Sequence, residues 1–417
     1  MLTSKEGLLE EVRGKFAQVE ACPVEGPRIF FENAGGALTL KSVVETSKRY
    51  AAIPDNQGRA NEASRALMET IAKARADARI YLGATTGQIF TGESGSELLF
   101  RIISEACLGA GKGGIVLGST LEHPASSSAA RRWSGIAGQT FVAVPHNDNT
   151  GTVTVDHYLP HITDDVRVAT IIHTSPVTGM GVDVGAISKA IRARSPDCFI
   201  IVDGIQHAAH GGLDVDAYDI DGYVISPYKV FSRHGYGLAW ISDRLTAVPH
   251  NELLGGPEGN WELGTRDTGS YATFSDVVDY FVWLGGHFTD NQDSRARMKA
   301  AGEAIHAHEH ALTDAMIHGT GNLKGLAQME KVTILGGVDN PAREGLVSLM
   351  VDGVDPFDLV EQLRQQGIRT HVRKADHYSG NILKPLGLEG CVRVSLCHYN
   401  SEHEVAQFLA AMQQIAA

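Results

Sequence analysis

The sequence predicts an α/β protein, a parallel sheet covered by helices and followed by a smaller α+β domain. Three observations carry this. From about residue 85 to 245, short apolar runs alternate with helical stretches, as strands joined by helical crossovers do. After Thr273 the texture changes to a long polar, Ala-rich stretch and then short apolar ones. Finally, 417 residues that are 43% apolar and 20% charged suit a globular protein with a large core and two domains.

In chain order, Glu62 to Leu82 reads as a helix, and Phe90-Thr91-Gly92 ends a strand that enters a helix over Ser96 to Leu108. Strands follow at Ile115 to Leu117, Phe141 to Val144 and Val168 to Ile172, then a helix at Val184 to Arg194. Phe199 to Val202, Tyr223 to Ile225 and Leu238 to Ile241 complete the apolar strands of the first region. Beyond Thr273, a long helix is predicted from roughly Asn291 to Met316, with strands at Val332 to Leu335 and Leu346 to Val351. Pro356 opens a helix reaching Gln366, since proline suits a first helical turn. Arg369 to Val372 and Val392 to Leu396 extend a small sheet, and a last helix runs from Glu402 to Ile415. The predicted division is residues 1–28 as an N-terminal segment packing on the small domain, 29–285 as the large domain and 286–417 as the small one.

A formal charge of -13 argues against a nucleic-acid surface. No segment approaches the roughly 20 uninterrupted apolar residues that span a bilayer. The charged, amphipathic N-terminus lacks a signal-peptide core, so a cytoplasmic location is the expectation. Cys22, Cys107, Cys198, Cys391 and Cys397 are scattered, mostly within or beside apolar runs, and no pair has metal-site spacing. His306, His308 and His310 alternate along a predicted helix, where they read as a solvated surface, so no metal site is expected.

Lys229 lies in Ser226-Pro227-Tyr228-Lys229, just after an apolar strand, where burial can free its amine for Schiff-base chemistry. Asp203 ends the strand before it, where an acid can partner a pyridinium nitrogen. Together they point to pyridoxal phosphate. Phe90-Thr91-Gly92-Glu93-Ser94-Gly95-Ser96-Glu97 runs from strand to helix and could seat a phosphate, or be a turn capped by Ser94 or Ser96. The glycines at 109 to 114 run from helix to strand, the reverse of a dinucleotide fingerprint. His123, shortly after a strand, could stack on a planar ring and relay protons, or be structural. Arg393, embedded in an alternating strand, needs either a substrate carboxylate or a structural ion pair.

These pieces, in this order and spacing, resemble the class V aminotransferase group of fold-type I pyridoxal phosphate enzymes, which includes the cysteine desulfurases. The resemblance runs from Phe30-Phe31-Glu32-Asn33-Ala34-Gly35-Gly36 to His398-Tyr399-Asn400. It implies a large domain with a mostly parallel seven-stranded sheet between helices. It also implies that Lys229, His123 and Asp203 are catalytic, with Lys229 holding the cofactor, Asp203 on the pyridine nitrogen, His123 on the ring and Gln206 on the phenolic oxygen. Gly95, Ser96, Ser226 and Tyr228 would serve the phosphate, and Thr265 the phosphate of a neighbouring subunit in a homodimer with shared sites. Arg393 would bind the carboxylate of an amino-acid substrate, with the Asn33-Ala34-Gly35 turn over the substrate and Arg373 or His377 selecting its side chain. Two departures stand out. Tyr378, in Asp376-His377-Tyr378-Ser379, takes the place of the persulfide-forming cysteine of desulfurases, and Pro176 that of a ring-side asparagine. Sulfur transfer by the usual route is therefore not expected. The first expectation is a desulfurase-like β-elimination lyase, the second an aminotransferase or epimerase, and the remote one a catalytically silent binding protein of the same fold.

Overall fold

The structure, a computed structural model, describes residues 1–417. Seven strands form its main sheet: β1 (Gln88–Gly92), β2 (Ile115–Ser119), β3 (Thr140–Val144), β4 (Val166–Ile172), β5 (Phe199–Asp203), β6 (Gly222–Ile225) and β7 (Gly237–Ile241). Their order is β1-β7-β6-β5-β4-β2-β3. All neighbours run parallel except β7, which is antiparallel to β1 and β6. The mostly parallel seven-stranded sheet expected from the sequence is thus present.

The central strands read as unbroken apolar runs because both of their faces are covered. In β5 the alternation is direct. Ile200 and Val202 join a cluster of 54 buried residues, whereas Phe199 and Ile201 join one of 21 on the opposite face. Asp203 continues the second series. It therefore points toward the face covered by α2 (Gly95–Gly109) and α3 (Pro124–Ala137), leaving α1 (Glu62–Leu82) on the other side.

Three longer helices of the large region have no counterpart in the sequence reading: Lys41–Ala51, α3, and α5 (Thr268–Gly285), which follows α4 (Val184–Arg194). The α5 helix is buried along nearly its whole length, so it lacks the polar face that makes helical periodicity visible.

The second sheet has four antiparallel strands, β8 (Val332–Ile334), β9 (Leu346–Val351), β10 (His371–Lys374) and β11 (Gly390–Ser395), in the order β8-β9-β11-β10. Helices α6 (Ser294–His318), α7 (Pro356–Gln365) and α8 (Glu402–Ile415) enclose a separate cluster of 20 buried residues with it. The strand expected over residues 369–372 is divided. Ile368–Arg369 pairs in parallel with Ile29–Phe30, which brings residues 29–35 from the N-terminal part of the chain to the edge of the small sheet. The N-terminal segment touches both regions: Leu8, Val12 and Phe16 join the large cluster, and Arg13 donates to Glu404 of α8. No helix is long and apolar enough to cross a membrane.

Candidate active site

The C-terminal ends of β1, β2, β5 and β6 open on one edge of the main sheet, the edge where open α/β sheets hold ligands. A cavity lies there, lined by Ser96, His123, Asp203, Gln206, Ser226, Tyr228 and Lys229, together with Thr174, Pro176 and two isoleucines. Seven of the site residues expected from the sequence therefore come together, with Pro176 beside them.

Lys229 ends a single 3-10 turn that begins right after β6. Its Nζ donates to Gln206 Oε1 at 3.1 Å. Burial, reinforced by Arg393, pushes its ammonium down to about 7, against the pull of Asp203. Asp203 is buried, and its burial pushes the carboxyl up to about 6. It accepts from the Ile205 N–H at 3.1 Å and from Ser126 Oγ at 3.4 Å, and no cation lies within ion-pair distance. His123 is the N-cap of α3, its Nδ1 accepting from the Ala125 N–H at 3.2 Å. That role fixes the ring at the cavity. Burial and then Lys229 push its imidazole down to about 4.

Where β1 enters α2, the Ser94 side chain caps the helix by accepting from the Glu97 N–H. Intrahelical bonding starts with Leu98 on Ser94 O, so the N–H groups of Gly95 and Ser96 have no partner within the helix. Gly95 is required here: a Cβ would stand 2.4 Å from Ser226 Oγ and 2.6 Å from Ile205 Cδ1. Gly237 is required too, because a Cβ there would meet the Ser94 carbonyl carbon at 2.5 Å. The result is a tight cradle at a helix N-terminus, suited to an anion. The cap and phosphate readings of this turn are compatible, since the cap uses Ser94 and leaves Gly95 and Ser96 free.

The opposite wall comes from the small sheet. Arg393 on β11 is 2% exposed, donates from Nη1 to Pro176 O at 2.9 Å, and pairs with no carboxylate. Its Nε has no partner at all. Burial, with Arg373 adding to it, pushes the guanidinium down to about 9. The structural ion pair considered for this arginine is absent. Arg373 Nε donates to Ser379 Oγ at 2.8 Å. Gly35 lies against Arg393, with a Cβ position 3.6 Å from Nη2. The Asn33 amide is committed elsewhere, donating to Ser395 O at 2.8 Å and accepting from the Tyr399 hydroxyl, so it pins the turn down. The exposed Tyr378 ring packs against His377, with centroids 4.0 Å apart and planes tilted by 40°, and lies 5.9 Å from the His123 ring. Thr265 is not in this cavity; it lines a separate depression with Tyr50, Gln57 and Thr268.

Sequence reasoning missed the buried polar groups beside Gln206. His207 Nδ1 bonds Glu344 Oε1 at 2.7 Å, and His210 Nδ1 bonds Glu309 Oε2 at 2.7 Å. Two histidines soon after Asp203 were a usable signal, but their acidic partners are 137 and 99 residues away. The helix surface expected at residues 306–310 also needs correction. His306 and His310 are exposed, but His308 is buried and bonds Asn400 O at 3.1 Å, because α6 packs against the start of α8.

The cavity residues fit pyridoxal phosphate in donor chemistry. A buried carboxylate lacks a cation, a lysine is poised to lose its proton, and a helix N-terminus offers free N–H groups. Comparison with known proteins agrees. The family model described as aminotransferase class-V matches residues 29–270 and 295–408. The chain is 23% identical to a probable cysteine desulfurase of Vibrio cholerae, over 97% of this chain and 98% of that protein. It is 25% identical to an aminotransferase-like protein, FGM3, of Gibberella zeae, over 99% of this chain and all of the relative. Among solved structures, the apo cysteine desulfurase of Thermococcus onnurineus superposes with a TM-score of 0.81 at 22% identity, covering 98% of both chains.

Proposed function

The chain belongs to the class V aminotransferase family of pyridoxal phosphate enzymes, and from that premise we propose that it is a β-elimination lyase acting on an amino acid without persulfide chemistry. The observation that carries the cofactor and substrate part of the reading is a double deficit around one lysine: Asp203 is buried without a cation and Arg393 without an anion, and both influence Lys229. A protonated ring nitrogen would meet the first need and a substrate carboxylate the second.

Lys229, Asp203, His123 and Gln206 would hold the ring and its substituents, while Gly95, Ser96, Ser226 and Tyr228 would hold the phosphate. Thr265, outside its own chain's cavity, would serve a second copy in a homodimer. When bound, the cofactor withdraws electrons from the substrate α-carbon. Arg393 fixes the carboxylate, and Gly35 leaves room beside it. Lys229, its pKa lowered to about 7, takes the α-proton, the β-substituent departs with its bonding electrons and is protonated, and one water hydrolyses the remaining imine to a 2-oxo acid and ammonia. No acceptor is needed. A persulfide route needs a thiolate near the substrate. No cysteine lines the cavity, Tyr378 stands at the loop position, and burial pushes the Cys391 thiol up to about 11.

Loading with pyridoxal phosphate, borohydride reduction and peptide mass spectrometry should find the label on Lys229. A protein that takes up no cofactor is the silent relative and refutes the reading. Incubation with amino acids then separates elimination, which yields oxo acid and ammonia unaided, from transamination, which stalls without a second oxo acid. An absolute requirement for that acceptor would make the chain an aminotransferase.

A further inference from the structure

Lys229 heads a hydrogen-bonded chain that leaves the cavity and ends in the small region. Its Nζ donates to Gln206 Oε1 at 3.1 Å, and Gln206 Nε2 donates to His210 Nε2 at 3.4 Å. His210 Nδ1 in turn donates to Glu309 Oε2 on α6, at 2.7 Å. Gln206, His210 and Glu309 are 6%, 5% and 2% exposed, and Glu309 Oε1 has no partner.

A carboxamide accepts at one end and donates at the other, so the group behind it decides which end faces forward. With His210 neutral, its Nδ1–H serves Glu309 and its bare Nε2 accepts from Gln206, leaving Oε1 for the lysine ammonium. With His210 protonated, Nε2–H itself needs an acceptor. The amide must then turn over and present N–H to Lys229 and the cavity.

We propose that the buried His210–Glu309 pair is a positioning device that sets, through Gln206, whether the site offers Lys229 an acceptor or a donor. The first arrangement favours the ammonium. The second favours the free amine and offers a donor to an anionic oxygen of a ligand. Only that use in the reaction rests on the function proposed above; the switch itself involves residues of this chain alone.

The charges around His210 support two accessible states. Burial opposes its protonation, but Glu309 and then Glu344 outweigh it and hold the imidazole above its ordinary value, against Lys229. His207 lies on the same turn and pairs with Glu344, Cys397 lies beside His210 and Glu309, and His398 feels His210. Burial raises Glu309 also, with His210 and more weakly His306 opposing, so the pair retains a proton.

The test is a double-mutant cycle on the ionisation of Lys229, which is partly accessible through the cavity. In cofactor-free protein, the pH dependence of Lys229 acylation by acetic anhydride, read by peptide mass spectrometry, gives its midpoint. Glu309→Gln is isosteric and removes the charge that favours protonated His210. It should raise that midpoint by about one pH unit. In a Gln206→Met background the same substitution should shift it by less than about a third of that, since the link is cut. His210→Asn, which cannot be protonated there, should act like Glu309→Gln and replaces it if that variant unfolds early in a thermal melt. No shift, or an equal shift in the Gln206→Met background, overturns the proposal. So does a stoichiometric metal ion lost in Cys397→Ala, which would make His210, Glu309 and Cys397 ligands instead. If the protein takes up no cofactor, the functional reading fails while this lysine titration still decides the switch.

Discussion

The cavity wall from the seven-stranded sheet and the wall from the four-stranded sheet hold their charges differently. On the first, Lys229, Asp203 and His123 sit on strand ends and helix caps, each tied by at least one hydrogen bond to its own region. On the second, Arg393 is bonded only across the cavity, to Pro176 O, and the neighbouring loop carries the exposed Tyr378. The first wall is a finished apparatus whose ionisation is set by burial. The second holds an unpaired charge and a solvent-facing aromatic. Under the proposed function this difference makes cofactor chemistry and substrate choice separable, and each prediction below strikes one wall.

The largest effect should come from Lys229→Ala, with turnover down at least about 1,000-fold and the visible absorbance of the loaded protein lost. Second is Arg393→Ala. Removing one partner of a buried charge contact is worth about 3–4 kcal/mol, so kcat/KM for carboxylate-bearing substrates should fall roughly 100- to 1,000-fold. Cofactor affinity should hardly change; if both collapse together, the walls are not separable.

The third prediction concerns pH. With Lys229 near 7 in the folded protein instead of 10.5, the rate of cofactor capture should rise with a midpoint near 7. In the same window the unfolded chain binds the extra proton, so this lysine makes the cofactor-free protein gain stability as pH rises from about 7 toward 10.5. Asp203 has the opposite sign. Its folded value, raised from 3.8 to about 6, gives stability present below 3.8 and lost as pH climbs through 6. Thermal unfolding of wild type and Asp203→Asn across pH 3 to 10 checks both slopes.

The smallest effect should be at Tyr378. If its ring only covers the substrate, Tyr378→Phe stays within about twofold of wild type and Tyr378→Ala loses about fivefold in kcat/KM, the worth of one aromatic contact. A much larger loss in the Phe variant would give the hydroxyl a proton-transfer role.

Legibility in the sequence follows the same division. Lys229, Asp203 and the Gly95-Ser96 turn are readable because each belongs to a local strand–turn pattern. Arg393 is readable only as a charge in need of a partner, and the structure shows it without one. His210 and Glu309 are not, since their meaning arises from contact between segments 99 residues apart. The helix Thr268–Gly285 escapes for another reason: burial on all sides erases the amphipathic signal.

The most direct test of the central claim, intact cofactor machinery without a sulfur-transfer cysteine, is to turn over cysteine and β-chloroalanine on the loaded protein without any acceptor. Oxo acid and ammonia are quantified while intact-protein mass spectrometry watches for added sulfur. The account predicts steady formation of both products, with a protein mass that gains no sulfur. A persulfide on any of the five cysteines that forms and turns over with product, or no oxo acid at all from a cofactor-loaded protein, would contradict it.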